Sequence, residues 1–340
     1  MERLKELREN TYNIDKAIEL FIEQNNRMTH PLKTDFEFLK WLDEGRLIVL
    51  GGGSGLGKTA FVLQMLYELV RDNQDRDDGV IGIYASAEMT IEELTMRLIV
   101  NQSVIDGVDM SNVRKSFNTR LTDEKTIKEN IAKAKTLLSD IPFYFLNASR
   151  FNLKSIIEMI KATREKNPNK RIFVVIDYLQ LLMLDTDSLQ EINRVIKELK
   201  DCLVENKANA IVISALNRDA IKNNFVDMSA FKDSSMIEYT SDIAVLFAFK
   251  NDKGKYTLKV DENLRELNKI EFYAYCVKNR VGKMFSDRLI FNKLQQRFEI
   301  NTIEVVYKVG INEEAFKDNT TQNTKIDDDK PYNSEIDAIL

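Results

Sequence analysis

The chain of 340 residues holds a single histidine, His30, one tryptophan, four prolines and two cysteines, Cys202 and Cys276. One histidine and no Cys/His cluster exclude a tetrahedral zinc site of the usual kind. The cysteines lie far apart and no secretory segment precedes them, so reduced thiols in a cytoplasmic protein are expected. The opening segment, MERLKELREN, lacks the apolar stretch of a signal peptide. No run approaches the ~18 consecutive apolar residues of a membrane span, so no membrane partner is expected. Twelve glycines and four prolines are too few for a fibrous or low-complexity chain. An excess of positive charge is missing too: the formal net charge is −5, which at first argues against a nucleic-acid partner.

The charge has an address. In residues 312–340, Glu313, Glu314, Asp318, Asp327, Asp328, Asp329, Glu335 and Asp337 face only Lys317, Lys325 and Lys330. That imbalance equals the whole-chain value, so residues 1–311 are formally neutral. The segment is polar and aperiodic and is expected to be a disordered acidic tail. The acidic total therefore does not exclude a DNA-binding channel, though the body has no positive excess to argue for one.

What is present is a globular composition, 44% hydrophobic and 30% charged. Residues 1–34 read as a helix and a linker: Ile14, Ala17, Ile18, Leu20, Phe21 and Ile22 form an apolar stripe at helical spacing. Such a helix cannot bury its stripe alone and must dock on its own domain or on a neighbouring subunit. Over residues 35–311, strand-like runs at 47–50, 80–85, 142–146, 171–176 and 210–214 alternate with helical patterns at 58–71, 91–105, 122–138, 153–166 and 189–206. This alternation predicts a mostly parallel α/β sheet with helices on both faces. Further runs at 243–249, 256–260, 271–277 and 288–291 follow closely on one another and predict an antiparallel extension.

The segment Gly52-Gly53-Ser54-Gly55-Leu56-Gly57-Lys58-Thr59 fits the phosphate-binding loop G-x-x-x-x-G-K-[ST], with Ala60 continuing into a helix. Its glycines let backbone N–H groups converge on a phosphate. Lys58 reaches the β- and γ-phosphates, and the Thr59 hydroxyl is a Mg²⁺ ligand. A strand before the loop and an amphipathic helix after it are the context this motif requires. ATP with Mg²⁺ is the expected ligand. The apolar run 171–176 ends in Asp177, the second metal-side oxygen donor at a neighbouring strand end. Many such ATPases place a water-polarising Glu directly after this Asp, but Tyr178 stands here. Glu88, just past the strand at 80–85, is the candidate instead; the other role open to it is capping the helix that begins near Thr90.

Several segments together resemble the ATPase domain of hexameric replicative helicases of the DnaB type, which have a RecA-like fold. They are the phosphate loop; Ser86-Ala87-Glu88-Met89 with Ile91-Glu92-Glu93-Leu94; Ile176-Asp177-Tyr178-Leu179-Gln180-Leu181; residues 191–200; Ile237-Glu238 with Asp242; and Lys278-Asn279-Arg280. The likeness spans about residues 31–300. It implies a RecA-like P-loop NTPase core, with Glu88 as the catalytic glutamate and Asp177 on the Mg²⁺ side. It also implies that Lys278 and Arg280 reach into the next subunit's nucleotide, Arg280 as the arginine finger. Implied with these are a homo-hexamer or other ring, and single-stranded DNA on channel loops around 183–189 and 219–236. The second region carries Arg218, Lys222 and Lys232, with Phe225 and Phe231 as stacking candidates. A replication loader or primase is the protein partner the resemblance brings with it.

The departures from the family pattern are specific. A γ-phosphate-sensing glutamine is replaced by Ala215, unless Ser214 or Asn217 substitutes for it. The segment 183–188 is acidic where the family is basic, and Val281 follows the finger arginine where Asn is usual. The family's separate N-terminal domain, which engages primase, has no counterpart in this sequence. The expected function is an ATP-dependent motor that moves on single-stranded DNA and unwinds duplex. The alternatives are a nucleotide-gated assembly protein with weak hydrolysis and no unwinding, or another RecA-like ATPase.

Overall fold

The structure, a computed structural model, describes residues 14–27, 30–103, 132, 133, 135, 136, 138, 140–146, 152–179, 189–232, 234–251, 253–259, 264 and 266–305. Contacts group residues 1–306 in one compact unit and 307–340 in a second; every element below belongs to the first. The expected tail, most of the helix at 122–138 and the loop at 183–188 lie outside the described residues.

Among the described residues, ten strands make one mixed sheet. Its parallel part comprises β1 (Leu47–Gly51), β2 (Val80–Ser86), β3 (Phe143–Leu146), β4 (Arg171–Asp177), β5 (Ala208–Ser214) and β6 (Ile243–Lys250). The antiparallel part is β7 (Tyr256–Thr257), β8 (Lys269–Asn279), β9 (Phe285–Asn292) and β10 (Arg297–Val305). The order is β10-β9-β8-β6-β1-β5-β4-β2-β3, with β7 pairing β6 from off this path. The helices are α1 (Ile14–Arg27), α2 (Glu37–Lys40), α3 (Lys58–Asn73), α4 (Ile91–Ser103), α5 (Leu153–Lys166), α6 (Leu189–Glu205), α7 (Arg218–Asn223) and α8 (Ser234–Thr240).

The continuous apolar strands are divided by residue parity, because successive side chains leave a strand on opposite faces. Ile48 and Leu50 of β1, Phe173 and Val175 of β4, and Ile211 and Ile213 of β5 join α3 and α4 in one core. Their neighbours Leu47, Val49, Val174, Ile176 and Val212 join α5 and α6 in the other. Each such aliphatic side chain contributes roughly 1.5–3 kcal/mol of burial. Close approach of α3 to the sheet sets one composition detail: a Cβ on Gly82 of β2 would lie 2.7 Å from Cγ2 of Val70.

β10 was not predicted, and the predicted strand at 256–260 is reduced to two residues. The β9–β10 turn carries neither glycine nor proline. Instead Asn292 Oδ1 accepts from the amides of Leu294 (3.2 Å) and Gln295 (3.3 Å), and Gln296 adopts a positive φ of 51°. Asn292 was therefore the main turn signal the sequence offered here. On α1, Ile14, Ile18 and Ile22 of the expected stripe are exposed in the single chain.

Candidate active site

The parallel strands β1, β2, β4 and β5 end at the same sheet edge, the place where ligands bind in open α/β sheets. There, a cavity of about 600 Å³ is lined by the phosphate loop, Glu88, Asp177, Tyr178, Ala215, Leu216 and Ile221, and by Arg97, Phe291, Lys293 and Gln296. Gly57 caps the start of α3 with φ 79°, and a Cβ there would lie 2.6 Å from Phe291 Cε1. Only glycine meets both conditions. Gly55 also has positive φ, while Gly52, Gly53 and Ser54 line the cavity and Leu56 and Ala60 are buried in the core behind it. The Lys58 ammonium rests on the carbonyls of Gly52 (2.9 Å) and Gly53 (3.0 Å). Burial holds its pKa below the usual lysine value, against the opposing pull of the Asp177 and Glu88 charges.

Asp177, 1% exposed, accepts from Thr59 Oγ1 at 2.8 Å and from the Tyr84 hydroxyl at 3.1 Å, both on Oδ2. Burial pushes its carboxyl pKa up; the two donated hydrogen bonds and Lys58 act the other way, while Glu88 adds to the rise. Among the described residues no group of three or more His, Cys, Asp or Glu stands together. One carboxylate beside one hydroxyl suits Mg²⁺, which keeps waters and substrate phosphates in its shell and does not need an all-protein cage. The residues present therefore fit that ion.

Ser86 and Asp177 are register partners at the ends of β2 and β4, which puts Glu88 beside the same edge, exposed to the cavity. The capping role is taken by other residues. Thr90 Oγ1 accepts from the Glu93 amide (3.2 Å) and Glu93 Oε2 from the Thr90 amide (3.1 Å), a reciprocal capping box. Glu88 takes no part in that cap and lines the cavity.

The strand register places Lys278 and Arg280 at the other edge. Leu246 of β6 pairs with Gly51 at the phosphate loop, whereas Ile243, at the start of β6, pairs with Asn279. Arg280, one residue beyond Asn279 and opposite Asp242, is thus displaced by four residues along the chain of β6, roughly 13 Å at strand rise, toward the edge opposite its own nucleotide cavity. It is exposed, in the turn after β8, with its amide on the Asp242 carbonyl (2.9 Å). Lys278 is engaged within its own chain: its ammonium donates to the carbonyls of Glu238 and Ser241 at the end of α8. Burial lowers its pKa to about 8, and the Arg280 charge acts in the same direction. Asp242, also part of the motif, joins the base of the fold: it accepts from the Leu47 amide (2.8 Å) and from Lys200 (2.5 Å).

Arg218, Lys222 and Lys232 are all exposed. The loop that bears them is closed at its base by the Leu216–Phe231 bridge and by the Lys232 amide on the Ala215 carbonyl (2.9 Å). Phe231 is 1% exposed and packs against Gly51, so it cannot stack on a base, which corrects the expectation; Phe225 is exposed. Nor does Asn217 replace the missing glutamine, because its side chain caps α7 by accepting from the Asp219 amide (2.9 Å). Ser214 is fully buried, its hydroxyl on the Ala215 carbonyl (3.3 Å). Sequence reasoning passed over Tyr84, Arg97, Phe291, Lys293 and Gln296. Of these, only Tyr84 had a visible signal, a phenol inside an apolar strand run.

A phosphate loop between a parallel strand and a helix, with a metal-side aspartate on a neighbouring strand end, defines a nucleotide-binding P-loop ATPase core of RecA-like fold. The family model described as the DnaB-like helicase C-terminal domain matches residues 32–300, and the chain belongs to that family. A probable replicative DNA helicase of Trieres chinensis is 25% identical over 301 residues, 84% of this chain and 62% of that protein. The replicative DNA helicase DnaB of Mycoplasma pneumoniae is 29% identical over 248 residues, 70% of this chain and 49% of that protein. The chain thus spans about half to three-fifths of the length of these relatives. Among solved structures, that of a DnaB-like replicative helicase, described together with its interactions with primase, superposes with a TM-score of 0.63 at 22% identity. The match covers 85% of this chain and 67% of that one, a likeness of fold. No helix among the described residues is long and apolar enough to cross a membrane.

Proposed function

We propose that the chain is an ATP- and Mg²⁺-dependent motor of replicative-helicase type that assembles as a homo-hexameric ring, moves on single-stranded DNA and unwinds duplex. In this reading residues 35–311 form the ATPase domain, 1–34 a helix and linker, and 312–340 an acidic appendage. The observation that carries it is the separation of the two halves of one active site. Lys58, Thr59, Asp177 and Glu88 share one sheet edge, while Arg280 stands about 13 Å along the strands toward the other, exposed and out of reach of its own cavity. Such a pair of half-sites is completed by a neighbouring copy. The exposed Ile14, Ile18 and Ile22 of α1 supply an apolar face for the same assembly.

Within one site, Lys58 would turn from the Gly52 and Gly53 carbonyls to the β- and γ-phosphates, and loop amides would hold the phosphate oxygens. Thr59, on the Asp177 side, would hold Mg²⁺, which when bound would supply neutralisation of phosphate charge. Glu88 orients and deprotonates the attacking water, and Arg280 from the adjacent copy stabilises charge on the transferring phosphoryl. Lys278 must leave the Glu238 and Ser241 carbonyls to join it. A mechanical link to DNA is suggested by α7: Ile221 lines the nucleotide cavity, while Arg218 and Lys222 of the same short helix face solvent. Contacts from these cations and Lys232 would be to phosphates and independent of base sequence. A loader or primase is the partner class proposed with this reading.

Turnover measured with and without single-stranded DNA, followed by unwinding of a 5′-tailed duplex with Lys58→Ala as blank, tests it. DNA-stimulated turnover with unwinding is the expected result. Nucleotide-driven assembly with turnover at the blank's level would replace it by a nucleotide-gated assembly protein, the reading that Ala215 favours.

A further inference from the structure

β2 is buried along its whole length, and Tyr84 is the one large polar side chain in it. Its ring lies in the α3-side core, tilted against Phe145 with centroids 6.1 Å apart. Tyr84 pairs with Val175 in register, two residues short of the strand end. Its side chain therefore leans along the strand to bring the hydroxyl to Asp177, 3.1 Å from Oδ2. A phenylalanine would fill the same volume with no polar atom to satisfy. The hydroxyl is consequently placed where a hydrogen bond to the carboxylate is the only thing it adds.

Both donors to this carboxylate, Thr59 and Tyr84, fall on the same oxygen, Oδ2. Among the described residues no protein group donates to Oδ1. One hydrogen bond leaves a carboxylate free to rotate, and the Lys58 charge attracts it. Two donors from different elements, α3 and β2, fix its plane. We propose that Tyr84 is a positioning residue for the divalent cation: its hydroxyl holds the Asp177 carboxylate in one orientation and keeps Oδ1 for the cation's shell. This rests on the nucleotide-site reading above. Groups that orient a metal-side ligand typically change metal affinity by about 10–100-fold when removed.

The test is equilibrium binding of a fluorescent, non-hydrolysable ATP analogue to the full chain as Mg²⁺ is varied, so that turnover plays no part. Tyr84→Phe is expected to raise the half-saturating Mg²⁺ about tenfold or more, with affinity for the analogue at saturating Mg²⁺ unchanged. An unchanged Mg²⁺ requirement, with or without a lowered melting temperature, overturns the proposal, because it is the behaviour of a hydroxyl that only packs. Site-specific 3-fluorotyrosine at position 84 keeps ring and hydroxyl and donates more strongly. It is expected to keep the half-saturating Mg²⁺ near the wild-type value, and a rise of about tenfold or more there overturns the proposal even if Tyr84→Phe does not fold. Failure of the wild-type chain to bind the analogue at any Mg²⁺ would instead remove the nucleotide-site reading, so the two failures are distinguishable.

Discussion

Arg280 is held by its backbone, whose N–H donates to the Asp242 carbonyl, and Asn279 braces the turn around it by accepting from the Val281 amide (3.0 Å) and donating to the Lys283 carbonyl (2.7 Å). Removing the guanidinium therefore leaves the turn intact. Arg280→Ala is expected to keep wild-type ATP affinity while turnover falls by about three orders of magnitude or more, the usual worth of an arginine finger. Nucleotide titration beside steady-state hydrolysis reads both numbers, and a variant with full turnover would take the finger role away from this residue. Glu88 needed the structure for a different reason. As letters, Glu88 and Glu93 compete for the cap of α4; only the reciprocal bonds between Thr90 and Glu93 show which carboxylate is occupied.

At the scale of elements, the nucleotide cavity depends on how the β9–β10 hairpin is fastened to α3. Gln64 of α3 accepts from the Phe298 amide (2.8 Å) and donates to the Phe298 carbonyl (3.0 Å), pairing with the edge strand as another strand would. Asn101 of α4 extends the bond to the Gln296 carbonyl (2.7 Å). Gln64→Leu keeps the volume but strands two buried backbone groups, so stability is expected to fall by ~2 kcal/mol or more, read as a lower urea midpoint at unchanged m-value. A second fastening ties residues 30–33 to the base of the sheet. Asp78 pairs with Arg76 (2.8 Å) and Arg171 (2.7 Å), whose guanidiniums also donate to the Pro31 (2.6 Å) and His30 (3.2 Å) carbonyls. Burial alone would raise the Asp78 pKa, but the Arg76 and Arg171 interactions outweigh it and bring it below the ordinary 3.8. A lowered carboxylate pKa gives stability that is present above the unfolded value and is lost as pH falls through the folded one. Asp78→Asn is therefore expected to cost on the order of 1 kcal/mol at neutral pH, with the gap closing below pH 3.8. Melting curves of both proteins across that range check the sign.

For the whole molecule, the proposed role of Arg280 in the neighbouring copy's site makes hydrolysis a property of the assembly. Chains carrying Arg280→Ala and chains carrying Glu88→Gln are each expected to be inactive alone. Mixed, they form junctions in which an intact Glu88 meets an intact Arg280 from the neighbour, so partial turnover should return in proportion to such junctions. No recovery in a verified mixed assembly would remove the assignment in trans. The charge distribution acts at this scale too. With residues 1–311 formally neutral, the proposed grip on a DNA strand would rest on local cations such as Arg218, Lys222 and Lys232 and not on a net field of the body.

The mostly parallel α/β class, the phosphate loop with Lys58 and Thr59, and the strand that ends in Asp177 were determined by sequence alone, whereas the RecA-like fold was implied only by resemblance to a known family. The first three depend on local periodicity and on a contiguous motif whose chemistry follows from its spacing. The sheet order, the antiparallel partner β10, the burial of Phe231 and the convergence of Tyr84 with Thr59 on one oxygen were decided only by tertiary structure. Each joins positions far apart in the chain: Gln64 to Phe298, Tyr84 to Asp177, Gly51 to Phe231. Local sequence sets which face a side chain leaves a strand from. Which side chain it then meets depends on how distant strands are ordered and in what register, and that is settled by the joint packing of both cores.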